Sequence, residues 1–543
     1  MLHWLSRLVG GIRRNRPKNK PGSGELPGFP PDPETRTLSA SLEQNKTVLR
    51  EIFDRCADLI IREFSIGNQH PVRAMAVFLD PLVDYDLLQK DLLSTLMNIN
   101  QTPPRKIIGA MLESIIPAGK IELKNRWVEV EAGVAEGLVG LFIEGENTAL
   151  LISYAEDTSR AISKPVTERT IRGPGDAFNE DLRTNLALVR KRLHTSRLAV
   201  ENMEIGAVTK MMVCVVYLKG YVMPGLVEEI KKRLERIKVD GFVSAGQAEE
   251  FIVDSRYSPF NTIAATERPD LLVSRLLEGR AAIMFDNTPF CLIAPNTIAT
   301  DLQSPEDYYH RYWFSSFIRL IRWGALFTFL LLPSAYIAVT TFHHEMIPTN
   351  LVNSIMAARE GVPFPAFLEA LLMELAFEVI REAGIRSPGP FTQTISIVGA
   401  IVIGQTAVAA GLVSSVMVVV VALTAITSFA IPSLTLSTAL RPLRFLFMIS
   451  AASMGLFGVM IGLSVLTFHL ASLRSFGVPY LSPFAPLSWG DLKDAIIRVP
   501  AWRMKLRPRL IGYNEPQRQE PGLGPQPPKA GGNTNTRTKR GER

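Results

Sequence analysis

Residues 351–411 read LVNSIMAAREGVPFPAFLEALLMELAFEVIREAGIRSPGPFTQTISIVGAIVIGQTAVAAG, an acid-studded amphipathic segment running into an apolar, glycine-containing one. On a helix beginning after Pro365, Glu374, Glu378 and Glu382 recur at four-residue steps and share a face with Leu371. Leu368, Leu372, Leu375, Val379 and Ala383 gather on the opposite face. Stacked like charges repel by roughly a few tenths of a kcal/mol per pair, so solvent, a basic partner or cations must offset them. Two readings of the segment 366–382 follow. One is an amphipathic or re-entrant helix lying on an outer surface with its acids in water. The other is a set of carboxylates that several subunits aim at a shared aqueous path, where an acidic ring concentrates cations. Glu374, Glu378 and Glu382 are therefore candidate pore or gate residues. Gln405 joins them as a polar residue inside the following apolar run, although an amide at such depth more often packs against a neighbouring helix. Gly399 and Gly404 are candidate helix-packing positions in the same run.

Outward from this stretch the chain divides in two. Of its 543 residues, 47% are hydrophobic and 20% charged, too long a chain for one core, and the uncharged runs are confined to the part after about residue 323. Trp323 to Thr341 is long enough to cross the roughly 30 Å hydrocarbon layer of a bilayer. Arg311, Arg319 and Arg322 precede it, which places its start and the soluble half in the cytoplasm by the positive-inside tendency. Thr394 to Ala410, Leu412 to Ile431 and Phe445 to Leu470 read as three more spans, the last carrying Gly458 and Gly462 in the spacing that lets two helices approach closely. Four crossings return the C-terminus to the cytoplasm but leave Arg441 and Arg444 on the outer side, against the same tendency.

The first 310 residues alternate strand-like and helix-like runs. Apolar residues at 48, 49, 52, 53, 56, 59 and 60 predict a helix from Leu42; RAMAVFLD predicts a strand, 84–97 and 105–115 helices, Trp127–Glu131 a strand by alternation and Thr148–Tyr154 another. MMVCVVYL opens a second unit, whose AAIMFD and PFCLIAP form a hairpin at Asn287-Thr288, where asparagine tolerates positive φ. The expected fold class is an α/β cytoplasmic region of two subdomains, with mixed sheets, followed by an α-helical transmembrane domain. Its boundaries are a basic disordered N-terminal tail 1–40, subdomain 1 at 41–160, a helix-bearing connector 161–209, subdomain 2 at 210–310, the membrane domain 311–480, a membrane-proximal segment 481–510 and a basic disordered tail 511–543.

The net charge of +7 sits at the ends: residues 1–24 carry six Lys or Arg and no acid, and 503–543 carry ten against three. Such tails suit an anionic lipid surface. Nucleic acid is a poor fit, because neither tail interleaves aromatics with its bases. Phosphate-binding glycine loops are absent, and Cys56, Cys214 and Cys291 are too scattered for a disulfide framework. His343-His344 is a weak metal hint, since adjacent side chains point apart. No nucleophile, base and oxyanion set can be assembled, so no enzyme, cofactor or metal is expected.

The run REGVPFPAFLEALLMELAFEVIREAGIR followed by SIVGAIVIGQTAVAAGLVS resembles the A-subunit of the GerA family of spore germinant receptors. PVTERTIRGPGDAF with Asn185, Arg190 and Arg192, then ERPDLLVSRLLEGRAAIMFDNTPFCLIAP, then SPEDYYHRYWF with Arg319, follow the family in order over residues 45 to 510. Asn287 stands where the family commonly has glycine. The resemblance implies an oligomeric, nutrient-gated cation channel of the spore inner membrane, a ring of A-subunits beside a transporter-like B-subunit and a C-subunit lipoprotein. Alternatives are the related A-subunit-like protein of the spore dipicolinic-acid channel system, a scaffold merely anchored by its spans, and a monomeric transporter, against which no inverted repeat is visible.

Overall fold

A computed structural model describes residues 36–67, 71–98, 121–154, 164–165, 167–386, 399, 404–512, 514–520 and 522–525. The expected helix at 105–115, most of the expected span Thr394–Ala410 and the greater part of both basic tails lie outside the described residues.

The soluble half is two α/β subdomains, each built on a five-stranded sheet. The first contains α1 (Leu42–Ile52), β1 (Leu59–Ile66), β2 (Val72–Leu79), a helix α2 of three consecutive segments (Tyr85–Leu87, a π-helical Leu88–Leu93, Ser94–Met97), β3 (Ile121–Lys124), α3 (Trp127–Ala135), β4 (Leu138–Ile143) and β5 (Ala149–Ser153). The second contains α4 (Leu182–Arg190), β6 (Leu198–Ile205), β7 (Met211–Leu218), α5 (Leu226–Glu235), α6 (Ala245–Ile252), β8 (Ala264–Thr266), α7 (Pro269–Leu277), β9 (Ala281–Phe285) and β10 (Cys291–Ala294). The strand orders are β1-β2-β4-β5-β3 and β6-β7-β9-β10-β8, the same path taken twice, with equivalent elements about 140 residues apart. Small details repeat as well. Asn45 and Asn185, both buried, each bridge the backbone N–H and C=O of the residue six positions earlier.

Four sequence expectations change here. The sheets are antiparallel throughout rather than mixed, because tight hairpins join β1 to β2, β4 to β5, β6 to β7 and β9 to β10. Trp127–Glu131 is helix, not strand: Trp127, Val130 and Val134 are buried at three- and four-residue steps, with Trp127 stacked on Phe142 at 5.9 Å. The helix from Leu42 stops at Ile52, and Leu59–Ile66 is an edge strand. The break is tertiary, since Arg55 C=O accepts from Val200 N–H and Ala57 N–H donates to Val200 C=O in the other subdomain. Finally, β6 falls inside the expected connector 161–209 yet is a strand of the second sheet, paired along its length with β7. The two subdomains are joined by Arg190, whose Nε and Nη2 each lie 2.8 Å from Asp58, with both side chains buried. Asn287 turns the β9–β10 hairpin at φ 59°.

The helical half contains α8 (Tyr312–Thr341), α9 (Thr349–Arg359), α10 (Ala366–Arg386), α11 (Ser415–Phe429) and α12 (Leu434–Ser472). Among the described residues, α8 and α12 are long and apolar enough to cross a membrane. The expected single span Phe445–Leu470 is instead a reversal inside α12. Gly455 has φ 61° and ψ −144°, and a Cβ on Gly462 would lie 2.9 Å from the ring of Phe447. Residues 15 apart on a straight helix are about 22 Å apart along the axis, so the two arms must fold back on each other. The first arm rises to the end of α8, where Gly455 meets Phe342 and His343, and the second descends to Ser258 and Phe260 of the soluble half. Arg441, one of the two arginines that four crossings leave on the outer side, lines a cavity together with Arg268 and Arg275 of the second subdomain.

Both ends of the helical half are fastened to the second subdomain. Asp307 accepts from Arg319 Nε and Arg322 Nη1 of α8, each at 2.8 Å, and Arg319 also meets Asp494 at 2.9 Å. After α12, the two-residue strands β11 (Arg474–Ser475) and β12 (Val478–Pro479) form a hairpin. Ser475 accepts from Asn296 N–H, Phe476 N–H donates to Asp254, and Tyr480 donates to Asp301 at 2.8 Å. The expected disordered tail from 511 begins as ordered chain: Ile511 is buried, and Arg507 Nη1 donates to the carbonyl of Glu515 at 2.7 Å.

The reversal at Gly455 requires a conformation that only glycine enters easily, and a Cβ there would lie 3.0 Å from Phe342. Gly455→Ala is expected to destabilise the helical half by about 1–3 kcal/mol, read as a lowered unfolding midpoint of the detergent-solubilised chain. An unchanged midpoint would show that the hairpin does not depend on this residue.

Candidate functional site

Three of the carboxylates of α10, Glu369, Glu374 and Glu378, face the interior of the helical half. Ala366, Glu369, Ala370, Met373 and Glu374 are its buried residues, whereas Leu372, Leu375 and Val379 are 44%, 48% and 68% exposed. The helix is inside out relative to a water-soluble amphipathic helix: its charged stripe faces protein and its leucine stripe faces away. This corrects the reading in which the acids lie in water on an outer surface.

What offsets their repulsion is a basic partner from α12. Arg444 Nη2 lies 2.9 Å from Glu374 Oε2 and 3.0 Å from Glu378 Oε1, and the side chains of Arg444 and Glu374 are both 0% exposed. Arg381, one turn along α10 from Glu378, reaches it at 3.2 Å and donates to Ser428 of α11 at 3.2 Å. Two carboxylates and two guanidiniums thus tie α10, α11 and α12 together with no net charge. The rings of Phe329 and Phe445 lie 5.1 Å and 5.6 Å from Arg444, covering the parts of the guanidinium that find no hydrogen-bond acceptor. Nearer the start of α10, Glu369 accepts from the N–H of Ser414 at 2.6 Å, next to the start of α11, and Arg359 of α9 lies 3.8 Å from its other oxygen. A carboxylate beside the start of a helix is well placed for the dipole.

The remaining candidates are scattered. Glu382 is 59% exposed and pairs with Arg386 at 2.6 Å, outside the cluster. Gln405 is exposed. A Cβ on Gly399 would meet Ile380 of α10 at 2.8 Å, while Gly404 has open space around it. Gly458 and Gly462 pack against Ser450 and Phe447 of the facing arm of α12, so their close approach is within one hairpin. His343 and His344 form no metal-ligating group among the described residues. Sequence reasoning missed Arg444 and Arg381. The signal for Arg444 was an arginine next to an apolar run, which implies an acid nearby in space without saying which one; Arg381 lay among the acids of its own helix, three residues from Glu378.

A buried ion pair that loses one partner leaves an uncompensated charge, at a cost of about 3–5 kcal/mol, whereas replacing both partners with apolar residues is often close to neutral. Arg444→Met is therefore expected to lower the unfolding midpoint severely. The double variant Arg444→Met, Glu374→Leu, which leaves the Glu378–Arg381 pair in place, is expected to recover most of that loss. Additive effects measured by thermal unfolding in detergent would refute the coupling.

Comparison with known proteins gives a consistent answer. Residues 47–510 match the family described as Bacillus/Clostridium GerA spore germination protein. The chain is 40% identical over 505 residues to spore germination protein KA of Bacillus subtilis (strain 168), covering 93% of each chain. It is 40% identical over 494 residues to the uncharacterized membrane protein YfkQ of the same organism, covering 90% of this chain and 96% of that one. Spore germination protein GerLA of Bacillus cereus is 36% identical over 467 residues, 86% of this chain and 95% of its own. Among solved structures, the N-terminal domain of the A subunit of the Bacillus megaterium spore germinant receptor GerK3 aligns with 33% identity and a TM-score of 0.37, covering 48% of this chain and 96% of that one. The chain belongs to the GerA family of spore germination proteins.

Proposed function

We propose that this protein is the A-subunit of a spore germinant receptor, an integral protein of the spore inner membrane whose soluble half faces the cytoplasm. Several copies assemble through the helical half into a ring around a nutrient-gated cation path, beside a transporter-like B-subunit and a C-subunit lipoprotein. The observation that carries the reading is the inside-out build of α10: buried, paired charges within the helical half and exposed leucine and valine on its outer face suit lipid or neighbouring copies better than water. The relatives named for spore germination support the process, and the one named as a membrane protein supports the location.

In this reading Glu374 and Glu378 serve as a latch rather than as a bare acidic ring, because Arg444 and Arg381 of the same chain neutralise them. Nutrient binding to the complex favours a state in which α10 and α12 are rearranged, which requires tighter binding to that state. The attachment of α8 and of the segment after α12 to the second subdomain would carry that rearrangement between the two halves. No catalytic step is assigned to the chain.

Reconstitution of the A-, B- and C-subunits in liposomes tests this. Cation efflux is expected on addition of nutrient. Glu378→Gln, which weakens one charged contact worth about 1.5–3 kcal/mol, is expected to change the half-maximal nutrient concentration about tenfold or more. Absence of flux from the wild-type complex in any state would favour a membrane-anchored scaffold, and a monomeric mass for the detergent-solubilised protein would eliminate the ring.

A further inference from the structure

A cavity of about 670 Å³ lies at the seam between the second subdomain and the helical half. Six arginines line it against two carboxylates, Glu168 and Asp301. Three of the six are fully engaged in the fold: Arg268 with Asp270 and the carbonyls of Glu168 and Pro174, and Arg275 and Arg280 with Glu278 between them. The other three are not. Arg169, from the soluble side, and Arg441, from α12, have no ion-pair or hydrogen-bond partner among the described residues. Arg381, only 7% exposed, pairs with Glu378 and donates to Ser428, but its Nε is closed off from solvent without an acceptor, as is that of Arg441.

The two carboxylates do not answer this charge. Asp301 accepts from Asn296 at 2.9 Å and from Tyr480 at 2.8 Å, and Glu168 accepts from Thr266 at 2.6 Å. Burial pushes the Asp301 carboxyl up to about 6 and also raises that of Glu168, so both resist ionisation more than an exposed carboxylate does. The first turn of α12 adds to the field. Ser433, Leu434 and Thr435 line the cavity where that long helix begins; the Ser433 hydroxyl caps the Leu436 N–H, and the positive end of the helix dipole lies beside the cavity. Hydroxyl groups stand nearby on Thr170 and Ser437. Planar guanidiniums beside a helix start are matched to a tetrahedral oxyanion, which accepts paired hydrogen bonds through several oxygens at once.

We propose that this seam cavity binds a phosphate-bearing anion held by Arg169, Arg381, Arg441 and the start of α12, so that the ligand bridges the second subdomain and the helical half. The phosphate belongs either to a lipid headgroup entering beside the exposed Phe429 and Leu434, or to a soluble phosphate. The site is independent of whether the protein conducts ions.

The full-length protein tests this in two arms. In nanodiscs of phosphatidylcholine alone, inorganic phosphate is titrated against chloride at matched ionic strength. In a second set without phosphate, phosphatidylglycerol replaces part of the phosphatidylcholine. Thermal stabilisation of the wild type is expected in one arm or both: in the first it identifies a soluble anion, in the second a headgroup. Arg441→Gln and Arg169→Gln are each expected to weaken the apparent affinity at least about tenfold, the loss of one charge-assisted contact. Arg169 is exposed, so its variant decides the matter if Arg441→Gln does not fold. No stabilisation in either arm, or wild-type response in the variants, overturns the proposal.

Discussion

Arg444 between Glu374 and Glu378 is the contact on which the helical half depends. A charge removed from water costs several kcal/mol unless a partner lies within hydrogen-bonding reach, and here one guanidinium serves two acids on another helix. That requirement sets the rotation of α10, turns its leucines outward, and fixes α12 at the height where Arg444 can reach. Arg381 then extends the same constraint to α11 through Ser428. Three helices are located by five side chains, Glu374, Glu378, Arg381, Ser428 and Arg444.

The soluble half follows a different logic. Its two subdomains repeat one path of strands and helices, down to the buried asparagines that tie each first helix to the preceding loop. A shared path does not make shared partners. Subdomain 1 meets subdomain 2 through the buried Asp58 and Arg190 pair, and subdomain 2 grips both ends of the helical half, through Asp307 before it and through Asn296, Asp254 and Asp301 after it. The second subdomain is therefore the mechanical intermediary, and any displacement of it acts on α8 and α12 together.

Much of this was legible in the chain. Helical spacing located α10, uncharged runs located α8 and α11, and continuous apolar runs such as MMVCVVYL located strands covered on both faces. The errors share one cause. Trp127–Glu131 alternates over five residues yet is helical because its buried partners sit four residues further on. The helix at Leu42 ends early because residues 55 and 57 bond to a strand more than 140 positions away. The run after Phe445 is apolar from end to end, so hydropathy could not reveal the reversal at Gly455.

By itself, then, the sequence determined the two-part organisation and the four-residue spacing of the acids, because composition and periodicity are properties of neighbours along the chain, and its ordered motifs carried the family resemblance. Only the tertiary structure decided that Glu374 and Glu378 meet Arg444, that Glu382 does not, and that Arg441 lies beside the soluble half. Each of those depends on where a chain reversal places a distant arginine, and the energy that selects the partner is the desolvation of a buried charge, which no local pattern encodes.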